Sequence, residues 1–215
     1  MKGVGPPLIT PFDETGAVDH DKLRSIVDWV EERGVDFIVP CGSNGEAELM
    51  TTRERGRVLE TVIDEASVPV IAGTGHPGLK ETLEATEEAS QKGAAAALVI
   101  TPFYYTHDQS ALETYYREVA ERASIPIYLY SAPKYTGVRL EPETVGRLAS
   151  HPNIHGMKDS LASIAEFIRT MRRVENEEFD LMMGTASVLS QALDVGATGA
   201  VMALANLAPA KLAEV

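Results

Sequence analysis

The run AALVITP, residues 96–102, is apolar without interruption from Ala96 to Ile100 and is closed by Thr101 and Pro102. A strand with one wet face alternates apolar and polar residues. A continuous apolar run is what a strand covered by helices on both faces looks like, and such strands pair in parallel. Similar β-rich runs recur along the chain: VGPPLIT (4–10), DFIVPCG (36–42), VPVIAGT (68–74), IPIYLYS (125–131), NIHGMKD (153–159), FDLMMGT (179–185) and TGAVMAL (198–204). Between the runs lie helix-patterned stretches near 19–34, 52–66, 78–93, 108–124, 141–151, 160–175 and 185–196. Asp19, Thr51 or Thr52, and Glu141-Pro142 supply start signals where these helices should begin.

Eight strand and helix units at a spacing of about 25 to 30 residues predict a closed (β/α)8 TIM barrel. An open doubly wound sheet is disfavoured, because no dinucleotide fingerprint follows the first run. The barrel is expected to occupy residues 1–215 as a single domain, with no linker or second domain. Its eighth helix is barely begun at LAPAKLAEV, 207–215, so a truncated eighth helix and a longer native chain are expected.

Composition narrows the function. The formal charge is -13, which disfavours nucleic acid and anionic membrane as partners, since both demand neutralising cations. The longest apolar stretch, AAAALVI at 94–100, is far too short to span a bilayer, and no basic-then-apolar leader opens the chain. A soluble, cytoplasmic protein is expected. Cys41 is the single cysteine, which excludes an internal disulfide and reads as a buried core thiol. The five histidines lack metal-ligand spacing, so no metal is expected.

In a barrel of this kind the chemistry sits at the carboxyl ends of the strands. NIHGMKDS, 153–160, places Lys158 there, and strict alternation would put Ile154, Gly156 and Lys158 on one face. A lysine in an apolar barrel mouth loses its charge more readily, because desolvation disfavours the ammonium form. The neutral amine can attack a ketone to give an imine, and the imine draws electrons from the neighbouring carbon to give an enamine. That is Schiff-base aldolase chemistry. It needs a proton shuttle, which Tyr130 on the adjacent strand can supply, and no cofactor. GSNGE, 42–46, has glycines that allow close backbone approach, with Ser43 and Asn44 available to a carboxylate. GTGHPG, 73–78, lacks the Lys-Ser/Thr pair of a phosphate loop and reads as a plain turn.

Taken in order, PPLITPF (6–12), GSNGE (42–46), TPFYY (101–105), YSAPKYTG (130–137), HPNIHGMKDS (151–160) and ALDVGATGAVMALAN (192–206) resemble the dihydrodipicolinate synthase and N-acetylneuraminate lyase superfamily over essentially the whole chain. The resemblance implies pyruvate-dependent (β/α)8 enzymes, with Lys158 as the Schiff-base lysine and Tyr130 as the proton-relaying tyrosine. It implies Ser43 in a hydroxyl relay, and Gly42, Asn44 and Gly45 in a carboxylate-binding loop. Tyr104 falls at the relay tyrosine that in many relatives reaches a neighbouring subunit's site, with Tyr105 as the alternative. A homotetramer and a C-terminal helical extension are implied as well. The small-molecule partners would be pyruvate and an aldehyde, the latter met by Tyr135 and by the turn at Gly184. Where the synthases read PGRTG this chain reads PKYTG, so Tyr135 replaces the arginine that holds aspartate semialdehyde, and Lys134 is no bidentate substitute. The motifs therefore lean to a 2-keto acid aldolase of the 4-hydroxy-2-oxoglutarate or 2-keto-3-deoxy sugar acid type. The alternatives are 4-hydroxy-tetrahydrodipicolinate synthase and a non-catalytic keto-acid sensor, which would have no use for the nucleophile.

The acid surface fits a salt-adapted host or an ordinary acidic enzyme. Unfolding midpoints in molar KCl separate them: the midpoint rises in the first case and stays level in the second.

Overall fold

The computed structural model describes residues 1–214. Seven parallel strands form one sheet: β1 (Gly3–Gly5), β2 (Ile71–Gly73), β3 (Ala96–Ile100), β4 (Ile127–Ser131), β5 (Ile154–Asp159), β6 (Asp180–Met183) and β7 (Gly199–Val201), in the order β1-β7-β6-β5-β4-β3-β2. The two edge strands, β1 and β2, are joined through residues 36–40, the second of the eight expected runs. There the Val39 amide donates to Pro6 O and the Leu8 amide to Val39 O; on the other side Ile38 donates to Pro69 O, and Ile71 to Ile38 O. The barrel closes, but this staves-like segment holds only isolated bridges rather than a regular ladder. Proline is the reason: Pro6, Pro7, Pro40 and Pro69 offer carbonyls but no N–H, so the pairing on either side of 36–40 cannot run on.

Helices α1 (His20–Glu31), α2 (Thr52–Glu65), α3 (Leu79–Lys92), α4 (Gln109–Arg122), α5 (Pro133–Thr136), α6 (Pro142–Ala149), α7 (Ile164–Val174), α8 (Leu189–Asp194) and α9 (Pro209–Ala213) follow the strands. The expected start signals are used. Asp19 accepts from the Lys22 amide, Thr51 and Glu54 form a reciprocal capping box, and Pro142 occupies the first turn of α6. The short turn α5 was not expected from the sequence. Pro133 opens it and Gly137, at φ 71°, ends it in the left-handed region.

Side chains sort into an inner layer and an outer one. Phe37, Val39, Ile71, Ala96, Leu98, Tyr128, Tyr130, Met182 and Val201 fill the barrel. Ala97, Val99, Ile127, Leu129, Ile154 and Met157 face the helices instead. Strict alternation on β5 is thereby corrected. Ile127 pairs with Ile154 but Tyr128 pairs with Gly156, so the ladder skips His155. The irregularity turns Ile154 to the outer layer while Gly156 and Lys158 stay inside, as a bulge does to a strand's facing. Among the described residues no helix is long and apolar enough to cross a membrane.

Closure depends on backbone contact at Gly73, whose amide bonds Pro40 O at 2.9 Å. A Cβ there would lie 2.1 Å from Cys41 O. Gly73→Ala should destabilise the fold by about 2 kcal/mol or more, the cost of forcing backbone apart in a packed layer. Gly78→Ala, whose Cβ would meet nothing nearer than 3.9 Å, should cost much less. Equal urea midpoints for the two variants would show that the closing contact carries no strain.

Candidate active site

Strand β5 carries Lys158 to the carboxyl end of the barrel, and β4 carries Tyr130 beside it, because the two residues are register partners. Both side chains are 5% exposed. The Lys158 ammonium lies 4.1 Å from the centroid of the Tyr130 ring, over its π face. Burial lowers the Lys158 pKa from its ordinary value, and the phenol beside it opposes that shift without reversing it. Burial alone would raise the Tyr130 phenol, yet the Lys158 charge and the neighbouring Ser43 and Ser160 hydroxyls hold it below its ordinary value. The two shifts are coupled: the phenol is held down only while the amine beside it carries its charge.

The GSNGE turn approaches from the opposite wall. Residues Ser43–Gly45 form a single 3-10 turn, with Gly42 as its extended cap. Among the described residues the amides of Ser43 and Asn44 have no acceptor within the chain, whereas the Gly45 amide bonds Gly42 O at 3.0 Å. The loop can therefore present two N–H groups to an anion, and Gly45 is not one of the donors. Thr10, which the sequence reading left unassigned, fixes the loop from β1's side by donating from Oγ1 to Gly45 O at 2.7 Å. Ser160 was also missed. Its position two residues beyond Lys158, on the same alternating face, was the available signal.

Gly184 stands behind the lysine. A Cβ at this position would fall 3.1 Å from Lys158 Cε and 2.1 Å from Ser160 Oγ. Its expected place near the acceptor is thus refined: the glycine leaves the room that Lys158 occupies. Its amide donates to Asp159 O at 2.7 Å and ties β6 to β5 at the level of the amine.

A cavity of about 410 Å³ opens beside Tyr130, lined by Gly42, Ser43, Glu46, Glu48, Leu98, Phe103 and Tyr135 among others. Turn α5 lifts Tyr135 to its rim. Cys41 also borders it, as a buried thiol that burial pushes up to about 12, too high for a nucleophile at neutral pH. Tyr104 is not gathered into this cluster. It is 86% exposed, has φ 79°, and stacks edge-on against Tyr105 with centroids 5.0 Å apart. Within one chain it touches neither Lys158 nor Tyr130.

A buried amine of lowered pKa next to a phenol, at the mouth of a barrel with two unpaired amides, is equipped to hold a small keto acid and form an imine with it. Comparison with known proteins agrees. The dihydrodipicolinate synthetase family model matches residues 1–215. The 4-hydroxy-tetrahydrodipicolinate synthase of Methanothrix thermoacetophila is 39% identical over 209 residues, spanning 97% of this chain and 71% of that protein. The dihydrodipicolinate synthase of Acinetobacter baumannii, solved with pyruvate, superimposes with a TM-score of 0.96 at 33% identity, over 99% of this chain and 74% of that one. The 2-keto 3-deoxygluconate aldolase of Picrophilus torridus gives 0.94 at 29% identity, over 99% and 77%.

A buried amine of lowered pKa costs stability, and the sign follows from linkage. Below pH 10.5, lysine's ordinary pKa, the unfolded chain holds this proton more firmly than the folded chain, so stability rises with pH toward that value. Lys158→Met should therefore raise the unfolding free energy at pH 7, by about 1–4 kcal/mol as in analogous replacements of buried charge. The gain should shrink as pH approaches 10.5. A variant less stable than the parent at pH 7 would show that the amine is well satisfied where it sits.

Proposed function

The chain belongs to the dihydrodipicolinate synthetase family of pyruvate-dependent carbon–carbon lyases, and on that premise we propose that Lys158 forms the Schiff base and Tyr130 moves the protons. The observation that carries this reading is the buried Lys158 amine lying against the Tyr130 phenol at the barrel mouth. The neutral amine adds to the C2 carbonyl of pyruvate, water leaves, and an imine forms. Loss of a C3 proton then gives the enamine, whose C3 attacks the aldehyde carbon to make the new bond; the reverse sequence cleaves it. Tyr130, beside both the amine and Ser43, is placed to carry protons to the departing hydroxyl and to the new alkoxide. The unpaired Ser43 and Asn44 amides hold the pyruvate carboxylate. Tyr104, exposed on its loop, would complete a relay only in a neighbouring subunit of a homotetramer.

For the aldehyde, the names of the relatives favour aspartate semialdehyde, the acceptor of the synthases, over the 2-keto acid aldolase to which the motifs lean. The second reading keeps one local observation in its favour: Tyr135, not a guanidinium, stands on the cavity rim.

Borohydride reduction in the presence of pyruvate should leave a pyruvyl mass on the peptide containing Lys158. Tyr130→Phe should slow adduct formation by about 100- to 10,000-fold, the usual range for losing a positioned acid–base group. No adduct on folded protein would end the Schiff-base reading. With the adduct in hand, turnover of aspartate semialdehyde against glyceraldehyde decides between synthase and aldolase.

A further inference from the structure

Two motifs far apart in the sequence, PPLITPF (6–12) and MALAN (202–206), take no part in the chemistry described above. They meet in space. The ladder between β1 and β7 ends where the Met202 amide donates to Gly5 O at 3.2 Å. Beyond it Pro6 and Pro7 have no N–H to offer, and the chain after β7 has turned into the short helix Ala203–Asn206. The Asn206 side chain continues the pairing. Its Nδ2 donates to Pro7 O at 2.9 Å and its Oδ1 accepts from the Ile9 amide at 3.2 Å, so one carboxamide stands where the next strand residue would be. The same Nδ2 donates to Ala203 O at 3.2 Å, which holds the side chain to its own turn. On the other edge the Leu8 amide donates to Val39 O. Residues 7–9 are therefore gripped from both sides. Thr10 comes next, 7% exposed, with its Oγ1 donating to Gly45 O at 2.7 Å. A Cβ on Gly45 would lie 2.7 Å from Leu8 O and 3.2 Å from Thr10 Oγ1, so the turn Ser43–Gly45 rests directly on the gripped segment.

We infer that Asn206 and Thr10 are positioning residues for the pyruvate carboxylate: Asn206 fixes residues 7–9, and Thr10 passes that placement to the turn whose free Ser43 and Asn44 amides receive the anion. This rests on the Schiff-base reading above and adds to it the part of the fold that sets carboxylate affinity. Neither residue acts on the reacting atoms. Asn206 bonds the backbone of residues 7, 9 and 203, and Thr10 donates to the backbone of residue 45. The two ends of the substrate then answer to different parts of the barrel. The carbonyl meets Lys158 and Tyr130, which β4 and β5 hold in register. The carboxylate meets a turn held from the closing side of the barrel, between β1 and β7. Donors aimed at an anion lose effect quickly when they are displaced, because a hydrogen bond weakens steeply with angle and length. The Ser43 hydroxyl neighbours Tyr130 as well, so part of any displacement is felt by every ketone, and the signature of positioning is the excess felt by the one that carries a carboxylate.

The test traps the Lys158 adduct with borohydride, using pyruvate and, separately, acetone, which offers a ketone carbonyl without a carboxylate. Thr10→Val keeps the shape of the side chain and removes its donor; Asn206→Leu keeps the volume and removes the carboxamide. Each should raise the half-saturating pyruvate concentration by about three- to tenfold, the worth of a typical hydrogen bond, and shrink the advantage of pyruvate over acetone by a similar factor. Thr10→Ser retains the donor and should restore the parent behaviour. Because the two residues act in series, the double variant should lose much less than the product of the single losses. Asn206 is only half-buried, so its variant keeps the inference testable if Thr10→Val does not fold. Equal slowing of pyruvate and acetone, or pyruvate saturation unchanged in the folded variants, would overturn the inference while the parent still formed its adduct on Lys158. Absence of the adduct from the parent would instead overturn the Schiff-base reading and this inference with it.

Discussion

Burial of one ammonium group under one aromatic ring organises this end of the molecule. Lys158 cannot be moved to solvent without unpairing β5 from β4 and β6, because its backbone is locked between Tyr130 and Met182 in register. The side chain must therefore accept an environment that works against its charge. Three features make the arrangement possible. The Tyr130 face gives the cation partial compensation, Gly184 leaves volume behind the amine, and the skipped His155 turns Gly156 and Lys158 inward together. A core that wanted stability alone would put an aliphatic side chain here; on the Schiff-base reading proposed above, the buried amine gives up stability for reactivity.

The surrounding loops are held by bonds that do not touch the chemistry. Thr10 grips Gly45, Gly184 grips Asp159, and the Asp159 side chain accepts from the Leu161 amide at 2.8 Å. The first two cross between neighbouring strand ends, and the third folds the loop after β5 back on its own strand. Together they fix where the hydroxyls of Ser43 and Ser160 stand relative to Tyr130, and small displacements there matter because proton transfer falls off steeply with distance. Closure of the barrel through proline-interrupted residues 36–40 belongs to the same economy: the segment gives up a ladder and leads straight into the GSNGE turn.

Much of the architecture was legible from pattern. Continuous apolar strands, capped helices and their even spacing lead to a parallel, helix-covered barrel, because two-sided burial leaves no room for alternation. Lys158 and Tyr130 were legible for the same reason, since polar groups at the ends of such strands stand out against an apolar background. Ser160 and Thr10 were not, because a hydroxyl near a strand end is common and only its neighbours give it meaning. The turn α5 escaped notice because Pro133 and Gly137 mark a turn equally well whether or not a helical bend lies between them.

By itself the sequence determined the alternation of strands and helices, the chemical types at the strand ends, and the family to which they belong. Those properties are local or periodic, and a linear text records them. The tertiary structure alone decided which of those groups meet. It put Ile154 outside and Lys158 inside through a one-residue slip, withdrew Gly45 as a donor by spending its amide on Gly42, left Tyr104 in solvent, and gathered Ser43, Tyr130 and Tyr135 round one cavity. Each outcome depends on register, on a loop's own hydrogen bonds, or on the approach of segments far apart in the chain, and none of these is carried by residue identity along one strand.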